Sequence, residues 1–590
     1  MFVDKFDQEV LCIMKTKYGT LLVFCIILAM VMATGCAARN SAPPSAGSVA
    51  DTAYDGKWPS YVNLGTGDDY LPVIKEGMGS DIVVTLAINQ PSNGGDWDDL
   101  WISKFYEKYL NINFSVEQIP DAAINERKSL MFASNDLPDI MMNLNFTANE
   151  IYKYGQMEGQ LLDLSGYLDD DLTPYIIDTF IDNPGAKTLS TTPDGKMYTL
   201  PVAAVDAIGR LQYIQVDTRR LDASGIEIPN TLDGFIDMLR KFKEADATGD
   251  VIPMGGRAFA ADFRYYILNA LGYIGGENGY TPGLRNAEAE LPAVNRELFL
   301  QYLTVLTAIY SEGLISDDFF MPDQGNVAVT AEMLDNRVCA IPGGIYQFGY
   351  EDWANWKCLV PLTSEWHDTP EWREAPAATI GGFVMSSDTK YPEVGMRFAD
   401  AYFSVWARIM WTGPRPDDEE LLMGYSGPGL HWDHETNNIA IDESIYPEGI
   451  NDLWSYLMMK HTPMPQFGMV DGYKVSIEYQ KRFLLGNPPE VMVYSPDNPD
   501  GWSRIIITEA YTPYLVTRFP NIYYVDDDTL IEMTDLNTVI KPYVDEQTAL
   551  FVTGRRPLSD IDAFLSELKA INIDKLDEIY KNIWAGYGKN

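Results

Sequence analysis

Apolar residues along the chain fall into three patterns, each predicting a different kind of element. The first is an unbroken run, LLVFCIILAMVMA from Leu21 to Ala33, preceded by Lys15 and Lys17 and followed by Thr34-Gly35-Cys36 and a polar stretch. Thirteen helical residues cover about 20 Å, short of a hydrocarbon slab of roughly 30 Å, so the run reads as a signal-peptide core over 1–35. A start at Met14 instead of Met1 gives the short positive region that such a signal carries. Small residues before Cys36 resemble a bacterial lipobox, in which the cysteine is diacylated; ordinary secretion with cleavage nearby is the alternative. Residues 36–57, rich in Ala, Ser, Gly and Pro, then form a flexible tether.

The second pattern alternates. Residues 81–88, DIVVTLAI, predict a strand, the loop NQPSNGGD follows, and Trp101, Phe105 and Tyr109 then recur at helical spacing. Residues 112–116 predict the next strand, 121–133 a helix and 139–144 a third strand. Repeated strand–helix units of this length favour a mostly parallel sheet covered on both faces, with ligands held outside the carboxyl ends of its strands. The third pattern is amphipathic. Thr231 caps a helix bearing Leu232, Phe235, Ile236, Leu239 and Phe242; Ser559 with Asp562 opens one bearing Phe564, Leu565 and Leu568; and Asp574 opens one bearing Leu576, Ile579, Tyr580, Ile583 and Trp584.

Composition narrows the function. A net charge of −42 opposes polyphosphate, so no nucleic-acid partner is expected, and a polyanionic ligand would need a local basic pocket to invert the field. Of five cysteines only Cys339 and Cys358 fall in the folded body, as a disulfide or as buried free thiols, and no CxxC pair supplies zinc or iron–sulfur spacing. Walker A, GxSxG and a strand-borne GxGxxG are missing, and only four histidines are available to any catalytic triad. Carboxylate pairs abound, yet nothing selects one for glycosidase chemistry.

Six ordered segments carry a resemblance: LMFASNDLPDI (130–140), DGKMYTLP (194–201), YIQVDTRRLDASGIEIPNTLDGFIDMLRKFKEAD (213–246), IYSEGLISDDFF (309–320), SSDTKYPEVGMRFADAYFS (386–404) and YVDEQTALFVTGRRPLSDIDAFLSELKAINIDKLDEIYKNIW (543–584). From about residue 70 the chain resembles the family 1 extracellular solute-binding proteins of ABC importers, specifically the large lipoprotein members that bind oligosaccharides. The resemblance implies an α/β fold of two lobes, the type II periplasmic-binding-protein arrangement, closing as a hinge on a ligand. Crossings are expected near 201–206, 339–344 and 406–413, with lobe one over 58–203 plus 345–408 and lobe two over 204–344 plus 409–590. It further implies a non-enzymatic monomer without a cofactor, held to the extracellular face of a bacterial, Gram-positive membrane through acylated Cys36, with an oligosaccharide ligand and membrane permease subunits as partners. A polysaccharide-degrading enzyme and a surface sensor or adhesin are the other readings.

Sugar recognition needs aromatic faces against C–H surfaces and planar polar groups against hydroxyls. Asp96, Trp97 and Asp98 follow the first strand's loop, although Asp96 equally suits a helix cap. Asn143 and Asn145 lie at the end of the third strand. Arg257 and Asp262 follow the run VIPM, with a surface ion pair as the plain alternative. By resemblance to maltose-binding relatives, Asp206 lies just past the first crossing and Tyr346 stacks on sugar. Trp411 and Trp432 sit beside the third crossing and in the GPGLHWD loop, as core or ligand contacts. Asp246 to Asp250 departs from an EF-hand loop, with glycine too early and no Glu at the twelfth place, and His431 and His434 lack a third ligand, so no metal is expected.

Overall fold

The computed structural model describes residues 57–204, 213–255, 263–315, 337–342, 355–470 and 510–587, excepting 375, 377, 405, 415–418, 428, 434–437, 449, 451–452 and 464. The signal core, Cys36 and the tether to residue 56 therefore lie outside the described residues, and residues 58 onward make one compact unit.

In chain order the principal strands are β1 (Val83–Gln90), β2 (Asn113–Pro120), β3 (Ile140–Met142), β4 (Leu200–Ala204), β5 (Ile214–Asp217), β6 (Ile252–Met254), β7 (Val338–Pro342), β8 (Trp356–Cys358), β9 (Trp372–Arg373), β10 (Ala378–Met385), β11 (Gly468–Val470) and β12 (Leu515–Val516). A six-stranded sheet has the order β11-β4-β10-β3-β1-β2, and a four-stranded sheet the order β8-β5-β7-β6.

The first sheet is parallel wherever it is built from strand–helix units. β1 pairs in parallel with β2 and β3, and β11 with β4. Only β10 runs against its neighbours, β3 and β4. Its alternating positions fill two cores: Val84, Leu86 and Ile88 of β1 join Trp101, Phe105 and Phe398 on one face, while Ala87 joins Ile119, Phe132 and Met141 on the other. Burial on both faces is why these strands read as near-continuous apolar runs. The helix over 101–110 forms as α1 (Trp101–Phe105) continued by a π turn to Leu110, which ends on Asn111 at φ 54°.

The second lobe has its own core around β5, β6 and β7. Thr231 caps α2 (Leu232–Ala245) by accepting from Gly234 N–H at 3.1 Å, and its stripe of Leu232, Phe235, Ile236, Leu239 and Phe242 is buried as predicted. The end of the chain is helical, with α3 (Asp527–Val552), α4 (Ile561–Ala570) and α5 (Ile573–Gly586) packed into the same core.

Strand membership moves two of the expected crossings. The first crossing lies between β4 and β5, after Ala204 and before Tyr213. Residues 339–342 belong to β7, which pairs with β5 as β8 does, and among the described residues the chain next joins the first sheet at β10, after Arg373. Residues 406–413 do not cross. Ala407–Thr412 is a short helix on the first core, β11 still pairs with β4, and Tyr511 is the next described residue of the second core. The expected boundaries at 345 and 409 therefore move to about 374 and past 470. Alternating patterning marks strands but does not say which sheet they join.

Cys339 and Cys358 are buried free thiols. They lie on β7 and β8, which flank β5, so two strand spacings of about 9–10 Å separate them, beyond disulfide reach. Burial pushes the Cys339 thiol up to about 12 and Cys358 higher still.

Candidate functional site

Strand direction gathers the candidate loops. In the first sheet β1, β3, β4 and β11 all end on one edge, at Gln90, Met142, Ala204 and Val470. In the second, β6 and β7 end beside the start of β5, with Ile214 opposite Pro342. Residues 205–212 join these two edges directly. The edges that meet at the first crossing are thus the ones carrying the loops after β1, β3, β6 and β7, the place where open α/β sheets hold ligands.

Asn143 turns out to be a structural tie. It is fully buried at φ 60°, its Nδ2 donates to Pro463 O at 2.6 Å, and its Oδ1 accepts from Gln466 N–H at 2.7 Å. Both ends of the amide are occupied in fixing the segment that enters β11, which corrects the expectation of a ligand contact. Gly381 and Gly382 enable the close approach: a Cβ would sit 1.9 Å from Phe146 O at the first and 1.7 Å from Gln466 O at the second. Asn145, two residues on, is exposed at φ 53°, and its carbonyl accepts from Lys128 Nζ at 3.3 Å.

Asp96 precedes a 3-10 turn, Trp97–Asp99, without capping it; its carboxylate accepts from Gln90 Nε2 at 3.3 Å. Trp97 and Asp98 face elsewhere. They line a lateral groove of about 460 Å³ with Lys104, Glu107, Asn113 and Phe114, along edge strand β2 and away from the edge where the lobes join. Trp97 also packs 5.8 Å from Tyr106. Trp411 is half-buried against the first core, its indole Nε1 enclosed without a partner. Trp432 and His431 belong to a strand, Leu430–Asp433, paired with Asn438–Ile441. Asp206, Arg257, Asp262, Tyr346 and His434 lie outside the described residues.

The Asp246 loop closes on itself. Its carboxylate accepts from Val251 N–H at 2.9 Å and from the N–H and hydroxyl of Thr248 at 3.0 and 2.7 Å, bonds that hold it down to about 2. Among the described residues no cluster of three acidic, histidine or cysteine side chains could hold a metal. No described helix is long and apolar enough to cross a membrane.

Two contacts had no sequence signal. Tyr524, just before α3, donates its hydroxyl to Leu189 O at 3.3 Å, and Val525 N–H reaches Asn149 Oδ1 at 3.4 Å, linking the second lobe to the first away from the crossings. His461 is buried between Trp101 (4.6 Å) and Tyr425 (5.7 Å), and burial presses its pKa down to about 3. Sequence spacing cannot show either, since Leu189, Asn149 and Trp101 lie hundreds of residues from their partners.

Two α/β lobes with separate cores, joined by crossings between the edges where strands end, are the architecture of a solute-binding protein. The family model for bacterial extracellular solute-binding protein matches residues 87–405, more than half of the chain, and the chain belongs to that family. It is 28% identical over 231 residues to Lipoprotein LipO of Bacillus subtilis, covering 37% of this chain and 42% of that protein. With the fructooligosaccharide ABC transporter substrate-binding protein FusA of Streptococcus pneumoniae it shares 20% identity over 500 residues, 79% of this chain and 83% of the other. Among solved structures, the solute-binding protein of a human-milk-oligosaccharide (HMO) transporter from Bifidobacterium longum infantis superposes at a TM-score of 0.66 with 17% identity, over 86% of this chain and 99% of that one. These likenesses establish the two-lobed fold.

Proposed function

We propose that the chain is the lipid-anchored, extracellular capture component of an ABC importer. An oligosaccharide binds between the lobes, the lobes close on it, and the closed form is handed to a membrane permease. The observation that carries this reading is the convergence of strand ends from both sheets on the first crossing, in a chain of the solute-binding family. FusA, similar over most of the chain, is a fructooligosaccharide binder and supports a sugar as the solute. Acylated Cys36 and the tether of residues 36–57 hold the folded body at the outer membrane surface, as the kinship with a lipoprotein supports. Differential affinity for the closed state supplies the free energy of closure. Capture proceeds without turnover, so the ligand leaves as it entered.

Asp96 and Asn145, exposed on loops at the β1 and β3 ends, together with Asp206, Arg257, Asp262 and Tyr346, are the proposed ligand contacts. Thermal unfolding of residues 58–590 against neutral and acidic oligosaccharides and peptides tests the reading. A ligand at 100 times its Kd should add about 2.7 kcal/mol, a shift of a few degrees, with the glycan recovered uncut. No shift with any glycan, or cleaved glycan, contradicts it.

A further inference from the structure

Strand β9 ends in Arg373, and Arg518 follows the strand paired with it, β12. Parallel register sets Arg373 opposite Val516, and Glu374 N–H continues the ladder to Val516 O at 3.0 Å. Residue 518 lies two places past the end of β12, and its guanidinium is near enough to Arg373 for their charges to interact. The Arg373 guanidinium lies 3.9 Å over the Tyr265 ring and donates from Nη1 to Gly275 O at 3.0 Å. Arg518, half-buried, donates from Nε to Phe519 O at 3.2 Å. Burial, and then the charge of Arg373, pull the Arg518 pKa down to about 10, and Glu374 is close enough to oppose this without forming an ion pair. No described carboxylate forms an ion pair with either guanidinium.

Most other described arginines differ, although half-buried Arg337, on the Asp250 carbonyl, and exposed Arg555 also form no ion pair with a described carboxylate. Acids outnumber bases about twofold, and Arg127, Arg219, Arg240, Arg285, Arg296, Arg397 and Arg556 each pair with a carboxylate. Two adjacent guanidiniums repel one another, and burial strengthens the repulsion, so the arrangement is relieved by an anion from outside. Their planar forks match a carboxylate. The position suits a solute. Trp372 packs at a tilt against Tyr266 and Tyr511, and the Tyr266 hydroxyl accepts from Ile214 N–H at 3.1 Å, so the ribbon lies at the edge of the second sheet where β5 begins, immediately before the chain returns to the first sheet at β10.

We infer that Arg373 and Arg518 together bind the carboxylate of an acidic solute at this edge of lobe two. The inference rests on the capture reading and deepens it: the pair is the local basic pocket that an acidic ligand needs on a chain of net charge −42. The carboxylate can belong to a uronic-acid sugar or to a free organic acid.

Calorimetric titration of residues 58–590 with trigalacturonate, galactotriose and acetate separates these sources. Trigalacturonate should bind the parent chain and lose about ten- to a hundredfold in affinity in Arg518→Gln, while galactotriose binding, if any, is unaffected. Equal trigalacturonate affinity in parent and variant overturns the inference. Galactotriose binding without trigalacturonate binding also overturns it and leaves oligosaccharide capture standing. If neither sugar binds but acetate does, and Arg518→Gln abolishes that, the site holds in its free-acid form and the oligosaccharide reading falls. Should Arg518→Gln fail to fold, arginine side-chain resonances of the parent report the contact. Two guanidinium signals moving on trigalacturonate or acetate addition support it, and none moving overturns it.

Discussion

Two arginine sites, one in each lobe, are built in opposite ways. In the first, Arg397 is fully enclosed: its guanidinium lies 3.8 Å over the Tyr70 ring, donates to Leu172 O at 3.0 Å and to Gly65 O, and sits 3.7 Å from Asp400, itself fully buried. Asp400 in turn accepts from Tyr70 hydroxyl at 3.0 Å and Ile176 N–H at 2.8 Å. In the second lobe, Arg373 and Arg518 stand near one another, and among the described residues no carboxylate forms an ion pair with either, although Glu374 lies close enough to act on Arg518. A charge enclosed with its counter-charge fixes structure, here docking the segment 65–70 onto the helix of Arg397. A charge held half-buried without one is set up for a ligand.

The comparison breaks hardest at Arg397. At pH 8, where Asp400 is ionised, Arg397→Ala leaves that charge buried and unpaired and should destabilise the chain by about 3–5 kcal/mol, read from the midpoint of urea unfolding. Asn143→Ala, which strands Pro463 O and Gln466 N–H, should lower stability by about 1–3 kcal/mol by the same measurement, while Asn145→Gly, which keeps the left-handed backbone, changes it little.

A pH series sharpens the contrast further. Burial lifts the Asp400 carboxyl to about 7 from 3.8, so the folded chain holds a proton that the unfolded chain releases. Its contribution is full below about pH 4 and is lost as pH rises towards 7. Buried His461 acts in the opposite sense, pressed down to about 3, so its contribution is full above about pH 6.5 and is lost as pH falls. Unfolding midpoints from pH 4 to 8 should therefore tilt towards greater high-pH stability in Asp400→Asn and towards greater low-pH stability in His461→Phe. The smallest effect is at the thiols: Cys339 and Cys358 should resist a thiol reagent at pH 8 until the chain is unfolded, because burial keeps both protonated.

Local pattern made parts of both lobes legible. The strands at 81–88 and 112–116 and the helix capped by Thr231 form within a few residues of their predicted places, because alternation and capping are written in neighbouring residues. What sequence could not supply was long-range assignment. β8 looks no different from a first-lobe strand until its partner β5, about 140 residues away, is known, and the crossings moved for that reason. The same limit governed the site. Asn143 at a strand end reads as a ligand contact, whereas the backbone that occupies its amide lies 320 residues further on. Arg373 and Arg518 drew no attention because their pairing is a matter of strand register.

The central claim, capture by lobe closure, is tested most directly by the distance between the lobes. Spin labels at exposed Ser134 in the first lobe and exposed Glu297 in the second, measured with and without the oligosaccharide that gives the largest thermal shift, read that distance. The capture account predicts one shorter, narrower distribution on ligand addition, with the sugar intact. An unchanged distribution at saturating ligand, or a glycan returned in fragments, would contradict it.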